Sequence, residues 1–243
     1  MLFRSKSAVT TGYCRNGILV YRGVGSTTLR DISITGNVIV GFDVVDANTI
    51  AAIQLTPDTG GAEVFGITIS GNSIKDALIG LYLNQFAANI IVDGNNFTNC
   101  VEGLKSDLGG LSKGSIVVSN NVFYDYNTGT SAINVRQGDK GVVVSGNSFY
   151  NFTDAITTET STFMTVVGNH FNDCTNCIAC NNINGLVFNS NIMQDCTLGV
   201  NFNTQGTARP ATIVGNMRNS TTTLYGGSAV GTMTVTDTAN ISF

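Results

Sequence analysis

The stretch VVVSGNSFYNF, residues 142–152, decides the fold: three β-branched residues, a Ser-Gly-Asn break, then an aromatic-rich segment. Near-copies run through the chain: ISITGNVI (32–39), ITISGNSI (67–74), IIVDGNNF (90–97), IVVSNNVF (116–123), MTVVGNHF (164–171), LVFNSNIM (186–193) and ATIVGNMR (211–218). Their asparagines are Asn37, Asn72, Asn95, Asn121, Asn147, Asn169, Asn191 and Asn216, spaced 35, 23, 26, 26, 22, 22 and 25 residues apart. Faint partial copies around 9–21 and 233–241 bring the total to about ten. A period this short, sustained over the chain, marks a repeat architecture and one continuous domain.

Within a copy the apolar residues alternate, as Val142 and Val144 do, which is the period of a strand. Gly-Asn ends the strand because both residues tolerate the left-handed backbone of a sharp turn. In the next strand Phe97, Phe123, Phe149 and Phe171 predict an inward aromatic column. Five residues past each asparagine, Phe42, Ala77, Cys100, Tyr126, Phe152, Cys174 and Cys196 predict a second interior stack, with Cys14 in the faint first copy. A third strand follows, with Leu81 and Leu83, Ile156 and Thr158, or Val200 and Phe202 pointing inward. Three short strands per turn describe a coil whose turns stack about 4.8 Å apart. Stacked in register, the asparagine amides bond one another above and below and satisfy turn groups otherwise buried unpaired. These asparagines belong to the scaffold.

Composition narrows the partners. Charged residues are 12% of the chain and the net charge is −4, so no basic footprint invites nucleic acid. No apolar run reaches the ~20 residues of a membrane helix, so no membrane insertion is expected. The opening MLFRSKSAVTTGYC lacks a secretory apolar stretch. Cysteines in an interior stack are read as small hydrophobes, folded in a reducing cytoplasm. Cys174, Cys177 and Cys180 also invite a metal reading, but no histidine or fourth thiol stands at ligand spacing, so no metal and no cofactor is expected.

The Asn-anchored repeat resembles the right-handed parallel β-helix superfamily, whose members include pectate-lyase-like enzymes and bacteriophage tailspikes; the resemblance covers residues 9–241. It implies an all-β, single-stranded right-handed parallel β-helix of about nine to ten coils over residues 1–217. Residues 218–243 are expected to close it as a last coil and trimer contact. Family members usually wear a helix over the first coil, and residues 1–11 are too short for one. An open solenoid end invites pairing, so a larger protein, a partner or trimer neighbours are expected to cover it.

In pectate-lyase-like proteins the substrate groove lies along the sheet of the third strands. Alternation predicts one outward column of Leu19, Gln54, Tyr82, Lys105, Asn134, Thr157, Ala179 and Asn201. A second runs Tyr21, Thr56, Asn84, Asp107, Arg136, Glu159, Asn181 and Asn203. In so charge-poor a chain, Lys105, Asp107, Arg136 and Glu159 gather on three consecutive coils. Asp107 and Glu159, two rises apart, are the candidate acid and base, with Arg136 gripping an acidic sugar. Lys105, Tyr82, Asn84, Asn134 and Asn181 are the candidate substrate-binding residues. The alternative is a charge-compensated ladder that only keeps like charges apart. A further line four residues past each anchor (Asp76, Asn99, Asp125, Asn151, Asp173 and Asp195) reads as turn-forming, with a carboxylate pair or calcium site as the alternative. His170, the only histidine, is expected to face solvent.

Sharper enzyme signatures of the superfamily are missing. There are no paired aspartates or His-Gly segment of the polygalacturonase type, no tryptophan, and of the Arg-x-Pro-x-x-Arg of calcium pectate lyases only Arg209-Pro210. The resemblance therefore implies first a tailspike- or tail-fibre-like homotrimer in the virion tail that recognises a bacterial surface polysaccharide beside other phage tail proteins, with its depolymerisation left open. A secreted polysaccharide lyase or glycoside hydrolase, and a non-catalytic fibre shaft, are the alternatives.

Overall fold

A computed structural model describes residues 16–22, 29–42, 51–57, 64–84, 87–107, 115–136, 141–159, 163–204, 209–219, 222–229 and 233–242. Every described element is a β-strand, and the pairings are parallel from coil to coil. The strands that precede the Gly-Asn break form one sheet of nine, from Leu29–Thr35 through Val142–Ser145 to Met233–Thr238. Nine strands stand against about ten copies in the sequence, because the first faint copy contributes only Asn16–Arg22 to the described residues.

A second, fourteen-stranded sheet wraps the remaining two faces. In four consecutive coils the second and third strands run on as one bent strand: Ser73–Asn84, Asn96–Asp107, Val122–Arg136 and Ser148–Glu159. There the expectation of three separate strands is corrected. On five coils the corner is a single left-handed residue, with φ of 53° at Asp76 and Asn99, 63° at Asn151, 54° at Asp173 and 52° at Asp195. On the coil with the insertion Asp125 does not adopt it, and its Oδ1 accepts from the Asn127 N–H at 2.7 Å instead. One residue turns the chain without breaking the ladder for long, and Asn and Asp tolerate that backbone better than other side chains. Asp76, Asn99, Asn151, Asp173 and Asp195 of this line therefore make the turn.

The ladder runs from Asn37 to Asn240. Each Oδ1 accepts both the backbone N–H and the Nδ2 of the asparagine one coil earlier; Asn147 receives Asn121 N and Nδ2 at 2.9 and 3.0 Å. Its own Nδ2 donates to Asn169 Oδ1 and back to Val118 O. Asn240 closes the series under Asn216, so the last coil keeps the register.

Inside, Phe97, Phe123, Phe149 and Phe171 stack with ring centroids 4.8, 5.2 and 4.8 Å apart and nearly parallel planes. The strand spacing dictates that stack. A small residue must face it across the corner: a Cβ on Gly103 would lie 2.6 Å from the Phe123 ring. The second interior stack holds for Phe42, Ala77, Cys100, Phe152, Cys174 and Cys196, all buried. Tyr126 is the exception, 59% exposed. Its coil carries three extra residues that shift register between Tyr124 and Gly129, so Gly129 pairs with Phe152 and Tyr126 is expelled. Cys14 lies outside the described residues.

Candidate functional site

The outward face of the third strands is built by register. Tyr82 pairs with Lys105, Lys105 with Asn134, Asn134 with Thr157, Thr157 with Ala179 and Ala179 with Asn201. Alongside run Asn84, Asp107, Arg136, Glu159 and Asn181. Between Cys180 and Asn181 the pairing with the next coil slips, and Thr204 takes the place expected for Asn203. Asn84 pairs through its backbone with Asp107, while its side chain lies outside the described residues.

A third outward column was not legible by alternation: Ile79, Glu102, Ser131, Asp154, Asn176 and Leu198. Two consecutive residues, Gly103 and Leu104, face the core at the corner, so Glu102 emerges on the same outer face as Lys105. The signal available in the sequence was an acidic residue just before the small corner residue, in Glu102-Gly103 and again in Asp154-Ala155.

Three coils thus carry a polar grid: Glu102, Lys105 and Asp107; Ser131, Asn134 and Arg136; Asp154, Thr157 and Glu159. Glu102 is its hub, with Oε2 2.8 Å from Lys105 Nζ and Oε1 accepting from Asn134 Nδ2 at 2.7 Å. Arg136 Nε lies 3.4 Å from Glu159 Oε2, both half-exposed. Asn176 Nδ2 donates to Asp154 Oδ1 at 2.6 Å. Burial pushes the Asp154 carboxyl up, and the bond from Asn176 partly offsets it. Ser131 Oγ and Thr157 Oγ1 lie 3.2 Å apart. At the grid's margin Tyr82 packs with Ala51, Ile79 and Leu78 in a small apolar cluster. Burial, then the Asp107 carboxylate, pushes its phenol up. Asn181 is half-buried and its N–H donates to Thr158 Oγ1 at 3.2 Å.

Repeating strands with this Asn ladder and these inward columns leave one architecture, and the sequence comparison agrees with it. Residues 51–236 match the family described as right-handed beta helix region. The chain belongs to the right-handed β-helix family. No curated protein and no solved structure is matched by it.

Elsewhere in the β-helix, His170 is half-buried with its ring edge-on to Tyr150; Tyr150 neighbours the exposed Tyr124, which in turn meets the exposed Tyr126 edge-on. In the core the Cys174 thiol donates to Asn172 O at 3.4 Å and the Cys196 thiol to Gln194 O at 3.3 Å. The neighbouring Cys196 and burial hold Cys174 well above its usual range, burial above all holds Cys177 up, and the proximity of Cys174 and Cys177 pulls Cys196 down. Among the described residues no group of three or more His, Cys, Asp or Glu side chains is placed to hold a metal ion, and no helix is long and apolar enough to cross a membrane.

Proposed function

We propose that this β-helix recognises a bacterial surface polysaccharide along the outer face of its third strands, as a phage tailspike- or tail-fibre-like protein exposed on the virion tail. The carrying observation is the polar grid itself: on three consecutive coils of a chain with 12% charged residues stand Glu102, Lys105, Asp107, Arg136, Asp154 and Glu159. A guanidinium at the solvent edge of such a grid matches the carboxylate of an acidic sugar, which it meets as a planar fork. Arg136 is the reader of charge in this proposal. Asp107, Thr157, Glu159 and Asn181 bond hydroxyls, Tyr82 flanks them with Asn84 as the register partner of Asp107, and Lys105 and Asn134 form the floor through Glu102. Buried free thiols support folding in a reducing cytoplasm. Exposed Ile192, Met217 and Ile241, direct neighbours on the last three coils, support burial against further copies of the chain in a homotrimer.

Cleavage is a second reading, favoured by one observation. The register places Asp107 and Glu159 on either side of Arg136, two strand spacings or about 9.6 Å apart, close to the roughly 6.5–9.5 Å of an inverting carboxylate pair. In that reading one is the general acid, the other the base, and Arg136 neutralises a uronate.

The test is a glycan array of acidic and neutral bacterial polysaccharides probed with the purified chain, Arg136→Ala and, as a remote control, Arg30→Ala. Acidic polymers are expected to bind the native chain and the control, with at least a tenfold loss in Arg136→Ala. Equal binding by Arg136→Ala, or none by the native chain, overturns the reading. New reducing or unsaturated ends on a bound polymer, lost in Glu159→Gln, would add cleavage.

A further inference from the structure

Glu102 does something that sugar recognition does not require. Each of its two carboxylate oxygens holds one nitrogen, Lys105 Nζ at 2.8 Å and Asn134 Nδ2 at 2.7 Å. Lys105 and Asn134 are direct register partners on consecutive coils, and residues so paired hold their Cβ atoms about 5 Å apart. Asn134 is 5% exposed, and its Oδ1 is buried with no hydrogen-bond partner. The Lys105 and Glu102 side chains are 18% and 15% exposed. An amine, a carboxamide and a carboxylate bridging them, largely shielded from water, are the reactants and the proton carrier for amide exchange. We propose that Lys105 and Asn134 join through an intramolecular isopeptide bond formed with Glu102 as general acid–base.

The step balances without any other reagent. Glu102 takes a proton from the Lys105 ammonium across their 2.8 Å contact. The Nζ lone pair attacks Asn134 Cγ, forming the C–N bond and moving the carbonyl π pair onto Oδ1, which no competing hydrogen bond engages. When the tetrahedral centre collapses, the carbonyl re-forms and the Cγ–Nδ2 bond breaks. Glu102 gives its proton to the departing nitrogen, and a second proton from Nζ leaves with it. One ammonium ion is released, the secondary amide remains, and Glu102 returns to carboxylate. Both proton transfers span hydrogen-bond distances already present, and the fixed register supplies the proximity that makes a slow exchange intramolecular.

The location gives the bond a purpose. It joins strand Asn96–Asp107 to strand Val122–Arg136, whose pairing is interrupted between Tyr124 and Ser131 by the inserted residues. A covalent tie just past that gap secures a coil whose ladder is broken on both sides. This inference does not rest on sugar binding and is equally suited to a shaft.

Intact-mass spectrometry of the purified full chain tests it, followed by peptide mapping. The expected result is a chain lighter than its sequence mass by one ammonia. The mapping should give a branched peptide containing both Lys105 and Asn134, with trypsin unable to cut after Lys105. Glu102→Gln is expected to keep the full mass while its circular dichroism stays that of a β-protein. If that variant does not fold, Glu102→Asp keeps the charge on a shorter arm and should slow the loss of ammonia at least tenfold. A folded native chain at full mass overturns the proposal. So does an ammonia loss confined to an unbranched peptide, which reports a cyclised asparagine instead. A cross-link that forms undiminished in folded Glu102→Gln overturns the role of Glu102.

Discussion

The residue before each ladder asparagine carries a positive φ throughout, from Gly36 at 66° through Asn120 at 55° and Ser190 at 54° to Ala239 at 56°. The turn demands left-handed backbone, and glycine is the residue that adopts it without cost. Gly168 isolates that demand, because a Cβ there would meet nothing within 4 Å. Gly168→Ala is therefore expected to lose about 1 kcal/mol from backbone strain alone. Gly168→Asn should lose less than half of that, since Asn enters this region most readily; denaturant melts of the pair measure the difference. Asp154 argues a second point. Its folded pKa is raised, so the stability it contributes is full below the unfolded value of 3.8 and is lost as pH rises through the folded value. Asp154→Asn should then raise Tm modestly at pH 7, and the gain should vanish below about pH 3.8. A carboxyl kept at such a cost inside a polar grid is where function is to be sought.

Among elements, the aromatic column and the inserted coil make opposite predictions. Phe123 is stacked on both sides and fully buried, so Phe123→Ala should cost about 3–5 kcal/mol in equilibrium unfolding. Deleting residues 126–128 from the same strand restores the common repeat length and leaves Gly129 opposite Phe152, where it already pairs. That deletion should keep the β-sheet circular dichroism and cost less than the single Phe123 substitution. An insertion in one repeat of a solenoid maps to one face, often the binding face. Here it brings out Tyr126 beside Tyr124 and Tyr150, one corner away from the polar grid.

For the whole molecule, the exposed apolar line along the last coils asks for company. Ile192, Met217 and Ile241 are 41%, 41% and 59% exposed in direct succession along one face. The proposed trimer predicts a molar mass near three times 25.5 kDa by light scattering, held on dilution. Ile241→Glu together with Met217→Glu should return it to one. A native chain that runs as a monomer would remove the trimer and leave the single-chain face as the only place for a ligand.

Because every coil repeats the same local problem, the sequence by itself determined the architecture. The Asn ladder, the phenylalanine column, the inward pairs of the third strand and the register of Tyr82, Lys105, Asp107, Arg136 and Glu159 all follow from period and alternation. Parallel in-register stacking converts a position within a repeat directly into a position in space. Tertiary structure alone decided what breaks that arithmetic. Tyr126 left the interior because its coil is longer than its neighbours, and Glu102 came to the outer face because two consecutive residues turn inward at the corner. The meeting of Glu102 with both Lys105 and Asn134 depends on side-chain reach across coils, which periodicity does not encode. The same holds for Arg136, flanked in register by Asp107 and Glu159, whose ion pair among the described residues is to Glu159.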